Sequence, residues 1–256
     1  MTQRQSAGAS DLPGWDELRL CAETFSRPEK HLSHLLESEN RLSNFSRSGG
    51  GLFFDFSRQR LDAAAFNRLV ELSRARGALR MFREMMAGAV VNVTEGRAAL
   101  HTACRDFSGQ PVAVAGEDVM PEIRRVRKEI YEFAEAVREG RIIGSTGKRF
   151  RDLVVIGIGG SYLGPFFVSE ALAAYATGGF KLHYLANVDI HEFGKIAPRI
   201  DPERTLWIVV SKSYTTPETL ANARLAYDFM AEKGLDPAKH VVTVTAKGSP
   251  GDDPSN

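Results

Sequence analysis

Two short stretches of this chain concentrate the residue types that hold an anion. The first is Gly157-Ile158-Gly159-Gly160-Ser161-Tyr162-Leu163-Gly164-Pro165, which lies between an apolar run and a helical pattern. Glycines let backbone N–H groups approach a ligand without interference from a Cβ. A helix that follows adds unpaired donors and the positive end of its dipole. Gly160 offers its amide there, and Ser161 adds a hydroxyl. The second stretch is Ser211-Lys212-Ser213-Tyr214-Thr215-Thr216-Pro217-Glu218-Thr219, again directly after an apolar run. Four hydroxyls besides the phenol of Tyr214 (Ser211, Ser213, Thr215, Thr216) and one lysine fall within six residues. Pro217 suits a first helical position, which makes Thr216 the expected N-cap. A hydrogen bond to a charged partner is worth roughly 1.5–3 kcal/mol net, so three or four such donors beside Lys212 match a phosphate dianion.

Each stretch also has a purely structural reading. The first can be a tight strand-to-helix turn and the second a polar loop that caps its own helix; capping explains Thr216 and Pro217 but not Ser211-Lys212-Ser213. Other chemistries fail on spacing. A dinucleotide GxGxxG needs glycine at 162, where tyrosine stands. The pattern GxxxxGK[ST] fits Gly159 and Gly164, but Pro165 and Phe166 replace the lysine and hydroxyl residue. The nucleophile elbow GxSxG fails at Leu163. Asp189, as a ribose-binding acid of a nicotinamide enzyme, lies about 27 residues after Tyr162, beyond the roughly 20 that such a fold expects.

The elements that must position these loops follow from periodicity. Leu153–Ile158 is a continuous apolar run ending in glycines, as in a strand buried on both faces. Lys181–Val188, Thr205–Val210 and His240–Thr245 read as further strands, with helical stretches near 161–176, 191–198 and 216–233. Alternating β and α units predict a parallel sheet with right-handed crossovers, and both loops then leave its carboxyl edge. From Trp15 to about Gly140 the period is helical instead. Asp62 caps a segment that runs to Gly77, a second runs from Ala78 to Gly88, and Pro121 to Gly140 carries an apolar stripe at Ile123, Val126, Ile130, Phe133 and Val137. Pro111–Ala115 reads as a short β element, and residues 1–14 as a polar, mobile terminus. The fold class is therefore α/β: a doubly wound parallel sheet sandwiched by helices over 148–256, preceded by a mainly helical region over 1–147. Loop composition from Gly248 onward, directly after a strand, interrupts the βαβ logic and reads as a chain cut before its next helix.

Bulk properties exclude several classes. The 256 residues carry 33 basic and 32 acidic side chains, a net charge of +1, which argues against a nucleic-acid binder. The basic run Arg124-Arg125-Val126-Arg127-Lys128 reads as a solvated helix face, because Arg125–Glu129 and Lys128–Glu132 are i,i+4 pairs of opposite sign. Cys21 and Cys104 form no CxxC and no cluster with histidine, so neither a disulfide nor a metal site is expected. No leader pattern opens the chain and no apolar run reaches the ~18 residues of a membrane span. The expectation is a reduced, cytoplasmic, soluble protein with no membrane partner.

Together these residues resemble the glucose-6-phosphate isomerase family. Val155–Pro165 is similar to its glycine-rich signature, Ser211–Leu220 with Asn222-Ala223 to its phosphate loop, and Asn187-Val188-Asp189 to the segment after its second strand. Asn92–His101 resembles its helical N-terminal signature, with Glu95 as a helix-start residue. The likeness runs from about Arg41 to Thr245, with Tyr162, Ser213 and Tyr214 as mild departures. It implies a sugar-isomerase (SIS) domain whose Gly160, Ser161 and Ser211 through Thr216 hold the phosphate of glucose or fructose 6-phosphate. It implies an aldose–ketose isomerase of glycolysis and gluconeogenesis that needs no cofactor or metal and works as a homodimer. It also implies that the proton-shuttling glutamate, the ring-opening histidine, an arginine and a late lysine lie beyond residue 256. No residue of this chain is then catalytic; His101, His183 and His191 read as polar or packing residues, and a non-catalytic phosphosugar-binding module is the alternative.

Overall fold

The protein is described from a computed structural model that defines residues 8–177 and 179–253. The described residues form two compact units that divide between Arg124 and Arg125.

The first unit contains α1 (Trp15–Thr24), α2 (Leu32–Leu36), α3 (Arg41–Asn44), β1 (Ser46–Gly49), β2 (Leu52–Asp55), α4 (Ala63–Arg76), α5 (Ala78–Met86), β3 (Ala113–Val114) and β4 (Glu117–Asp118). Asp62 does cap α4, its carboxylate accepting from the Ala65 N–H at 2.9 Å, and Gly77 closes that helix at φ 69°. An aromatic group of Phe45, Phe56 and Phe66 packs beneath it. Buried Arg41 lies over Phe45, its guanidinium donating to the Ser57 and Gln59 carbonyls at 2.8 Å.

Two local expectations are corrected here. Ser46–Asp55 is an antiparallel hairpin inside a region read as helical, turned through Gly50 and Gly51 at φ 57° and 77°. Asn92–His101 is not helical: a bridge joins Asn92 to Arg97, and the Asn92 side chain accepts from Thr94 Oγ1 at 2.8 Å and from the Glu95 N–H at 3.3 Å. An asparagine that satisfies backbone donors locally competes with helix, and Gly96 at φ 62° completes the turn. Glu95 therefore starts no helix. The expected β element near Pro111–Ala115 is the two-residue β3, paired with β4.

Helix α6 (Met120–Glu139) runs into the second unit, which continues with β5 (Asp152–Ile156), α7 (Gly160–Ala171), β6 (Lys181–Leu185), α8 (Ile190–Ile196), β7 (Thr205–Val210), α9 (Pro217–Glu232) and β8 (Val241–Val244). The ion pairs Arg125–Glu129 and Lys128–Glu132 form along α6 as its spacing predicts. The four strands make one parallel sheet in the order β6-β5-β7-β8. Alternation assigns its two faces. Val154, Ile156, Leu185, Trp207 and Val209 pack with Ile196 of α8 and Ala223, Ala226 and Met230 of α9. Leu153, Leu206, Ile208 and Val242 point the other way, toward Phe133 and Val137 of α6. Full burial of each large aliphatic side chain is worth about 1.5–3 kcal/mol, so this double-sided core fixes the register of every strand.

The sheet's amino edge is tied down by a histidine. Fully buried His240 has Nδ1 2.9 Å from the Thr205 carbonyl, while its Nε2 accepts from the Ser145 N–H at 3.0 Å. Gly144 makes this possible, because a Cβ there would stand 2.7 Å from the imidazole. Among the described residues no helix is long and apolar enough to cross a membrane, and no cluster of metal-ligating side chains occurs.

Candidate functional site

The pairing of β5 with β7 sets the geometry of the site. Ile156 stands opposite Val209, so the chains that leave these two strands start side by side, about 4.8 Å apart. They then diverge. Helix α7 takes the face that carries Tyr184 of β6, whose hydroxyl donates to Ser169 Oγ at 2.8 Å and whose ring meets Tyr162 and Phe166 edge-on. Helix α9 takes the opposite face, where its alanines and Met230 join the core. The β5–β7 crevice is thus the topological switch point of the sheet, the place where open α/β sheets receive ligands.

The first loop is shaped by two glycines. Gly159 sits at φ 57°, ψ −119°, a conformation that side-chain-bearing residues avoid. A Cβ on Gly157 would meet the Ser161 backbone and side chain at 3.0–3.1 Å, so glycine is what lets α7 begin so close to the strand end. The loop then turns through Ser161 N–H to the Ile158 carbonyl (3.1 Å) and Leu163 N–H to the Gly159 carbonyl (2.8 Å). Helix α7 has no side-chain cap, and the half-buried Ser161 hydroxyl stands at its first turn.

In the second loop Ser211 is the anchor. It is only 3% exposed; its N–H donates to the Val244 carbonyl at 3.0 Å, and its Oγ accepts from the Tyr214 N–H at 3.1 Å. The Lys212 carbonyl accepts from the Ala246 N–H at 3.0 Å and Thr245 Oγ1 at 3.3 Å, which fixes the loop against the end of β8 while the Lys212 side chain remains exposed. Ser213 and Thr215 hydroxyls lie 2.7 Å apart on the outer rim. Thr216 occupies the N-cap position of α9, followed by Pro217, as the sequence predicts, yet its hydroxyl makes no capping bond. That oxygen instead lies 3.5 Å from Ser211 Oγ, so the helix's first amides stay uncapped at the crevice.

Tyr214 is the exception in this set. Its φ of 53° is rare for a non-glycine residue, and its ring turns inward onto the core. Burial, reinforced by the adjacent Tyr227 phenol, pushes its own phenol up to about 12. A Cβ on Gly251 would collide with the ring at 2.3 Å, which explains a glycine there. Tyr214 therefore reaches the crevice through its backbone, as the residue that bends the loop, and its phenol does not.

Neighbouring residues complete the rim. Buried Asn222 of α9 donates to the Asn187 carbonyl at 2.9 Å, bringing the loop after β6 beside the other two. Asp189 caps α8 through the His191 N–H at 2.9 Å and pairs with the His191 ring at 2.8 Å. These bonds hold its carboxyl below the usual range and give it a structural task in place of a ribose contact. His183 pairs with buried Asp152 at 3.0 Å at the other end of β6 and β5, away from the crevice.

The second unit is a doubly wound α/β domain with its glycine-rich and hydroxyl-rich loops side by side at the switch point, where open α/β sheets receive ligands. The chain belongs to the phosphoglucose isomerase family, whose sequence model matches residues 55–250. A curated glucose-6-phosphate isomerase from Desulfosudis oleivorans is 58% identical over 243 residues, covering 95% of this chain and 44% of the relative. That of Jannaschia sp. is 42% identical over 232 residues, covering 91% of this chain and 42% of the relative. The chain thus spans less than half the length of these relatives. The crystal structure of a glucose-6-phosphate isomerase from Chlamydia trachomatis D/UW-3/Cx superposes with a TM-score of 0.75 at 29% identity, over 97% of this chain and 47% of that one.

Proposed function

We propose that this chain supplies the phosphate grip of a glucose-6-phosphate isomerase, which interconverts glucose 6-phosphate and fructose 6-phosphate in glycolysis and gluconeogenesis. The observation that carries the proposal is Thr216: an N-cap threonine whose hydroxyl leaves its helix uncapped and sits beside Ser211 at the switch point. Ser211, Lys212, Ser213, Thr215 and Thr216 surround the phosphate from one side, with the Gly160 amide and Ser161 closing it from the other. Tyr214 contributes backbone curvature. Two helix N-termini and one ammonium group then neutralise the dianion, and the grip fixes the sugar chain at one end so that C1 and C2 lie at a constant reach from it.

The reaction itself is acid–base isomerisation through a cis-enediol, without metal or cofactor. A general base contributes about 10²–10⁴-fold to such a step. The proton-transferring groups belong to the half of the relatives' length that this chain does not match, so the chain by itself binds without turnover. The complete enzyme is a cytoplasmic homodimer on this reading. Titration calorimetry with glucose 6-phosphate, paired with a coupled isomerase assay on the same purified sample, tests the proposal. Binding without turnover supports it. Turnover above background places the base within residues 1–256, and tighter binding of NAD than of sugar phosphate replaces the isomerase reading with a nicotinamide one.

A further inference from the structure

The sheet has a second charged concavity at its amino edge, the end opposite the crevice. A cavity of about 860 Å³ opens there among Arg138, Arg149, Arg151, Lys181, Arg199 and Arg204. Among the described residues two acids line it, and both are committed. Asp152 is 4% exposed and pairs with His183 at 3.0 Å. Asp201 accepts from the Glu203 N–H at 3.1 Å and lies 3.5 Å from Arg204 Nε.

The cations divide into two sets. Arg138 pairs with Glu135 at 2.8 Å, Arg149 donates to the Arg138 carbonyl at 2.8 Å, and Arg204 meets Asp201. The side chains of Arg151, Lys181 and Arg199 engage no acid or carbonyl among the described residues. Strand pairing adds to the crowding: the Arg151 N–H donates to the Arg204 carbonyl and the Lys181 N–H to the Arg151 carbonyl, each at 2.8 Å. Lys181, Arg151 and Arg204 are therefore carried on adjacent backbones, and Arg199 lines the same cavity. Guanidinium groups present planar, paired donors suited to phosphate oxygens. Two aromatic residues line the cavity, and both pack toward the core: Phe150 is 4% exposed and half-buried Phe180 packs against the same cluster.

From this geometry we infer that the amino-edge pocket binds a small molecule carrying two or more phosphate groups, at a site separate from the crevice. The ligand spans Arg151, Lys181 and Arg199. This inference stands on residues that the isomerase reading does not use, so either can fail alone.

The test is calorimetric titration of the chain with inorganic tripolyphosphate at low salt, on the parent, on the exposed double variant Arg151→Gln/Arg199→Gln, and on Lys212→Met. Circular dichroism checks that each variant is folded, and Lys181→Gln serves as a second pocket variant. The expected result is saturable binding that the pocket variants weaken by at least about tenfold, with Lys212→Met leaving that component in place. The inference is overturned if tripolyphosphate binds no better than orthophosphate, or if Lys212→Met alone abolishes binding. A mixed-sequence oligonucleotide that binds as tightly as tripolyphosphate also overturns it, by making the pocket a nucleic-acid surface.

Discussion

Replacing Thr216 with valine separates a hydroxyl that serves a ligand from one that serves the fold. The two side chains have nearly the same shape, so packing is largely kept and the change removes the Oγ1 hydroxyl, donor and acceptor alike. An N-cap threonine ordinarily stabilises its helix by about 1 kcal/mol. Here the hydroxyl makes no capping bond, and its nearest partner, Ser211 Oγ, is 3.5 Å away. The stability cost of Thr216→Val should therefore fall below that ~1 kcal/mol. Loss of a hydrogen bond to a phosphate dianion costs roughly 1.5–3 kcal/mol, which is about ten- to 150-fold in Kd. Calorimetry with glucose 6-phosphate measures the affinity, and urea denaturation of the same samples measures the stability. A large fall in affinity with an almost unchanged urea midpoint is the expected pair. Unchanged affinity with a stability loss near 1 kcal/mol would mean that the hydroxyl caps α9 in solution, and the argument for a ligand at this position would collapse.

Three further outcomes follow from the same geometry. Lys212→Met should weaken sugar-phosphate binding strongly at 0.01 M salt and much less at 1 M, because the Debye length shortens from about 30 to 3 Å; a salt-independent loss would assign the lysine a non-electrostatic role. His240→Ala should destabilise the second unit by about 2–4 kcal/mol, read from the urea midpoint, because it opens a cavity and orphans the Thr205 carbonyl and the Ser145 N–H; a loss under about 1 kcal/mol would show that water replaces both bonds. Tyr214 should resist ionisation: its folded pKa is raised from 10.0 to about 12, so its contribution to stability is intact below pH 10 and is lost as pH climbs through 12. Tyr214→Phe should flatten that alkaline limb in melts taken from pH 9 to 12, and an unchanged limb would place the phenol in solvent.

Much of the α/β unit was legible because its signals are local and repeated. Thr205–Val210 reads as a strand from its apolar run alone, and the structure places β7 on those same residues. Pro217 marks the start of α9 because its ring fixes φ and it has no N–H to leave unpaired. The N-terminal region carries weaker signals. Ser46–Asp55 is a hairpin whose strand residues Leu52, Phe53 and Phe54 remain largely exposed, so no alternation of buried and exposed positions marks it; the run Gly49-Gly50-Gly51 was the available clue. Asn92–His101 was read as helix through resemblance, where the local chemistry of Asn92 and Gly96 favours a turn. At the site, residue types placed both loops at one edge, but the inward direction of Tyr214 depends on a positive φ that composition does not encode. The amino-edge pocket leaves no mark in the sequence, because its six cations come from four separate stretches of a nearly neutral chain.

The central claim is that a sugar phosphate binds where β5 and β7 part. A crystal structure of the chain grown with glucose 6-phosphate tests it most directly. The account predicts a phosphate within hydrogen-bonding distance of Ser211 Oγ, Thr216 Oγ1 and Ser161 Oγ, with the Lys212 ammonium nearby. A phosphate seated instead among Arg151, Lys181 and Arg199, with the crevice holding none, would contradict it.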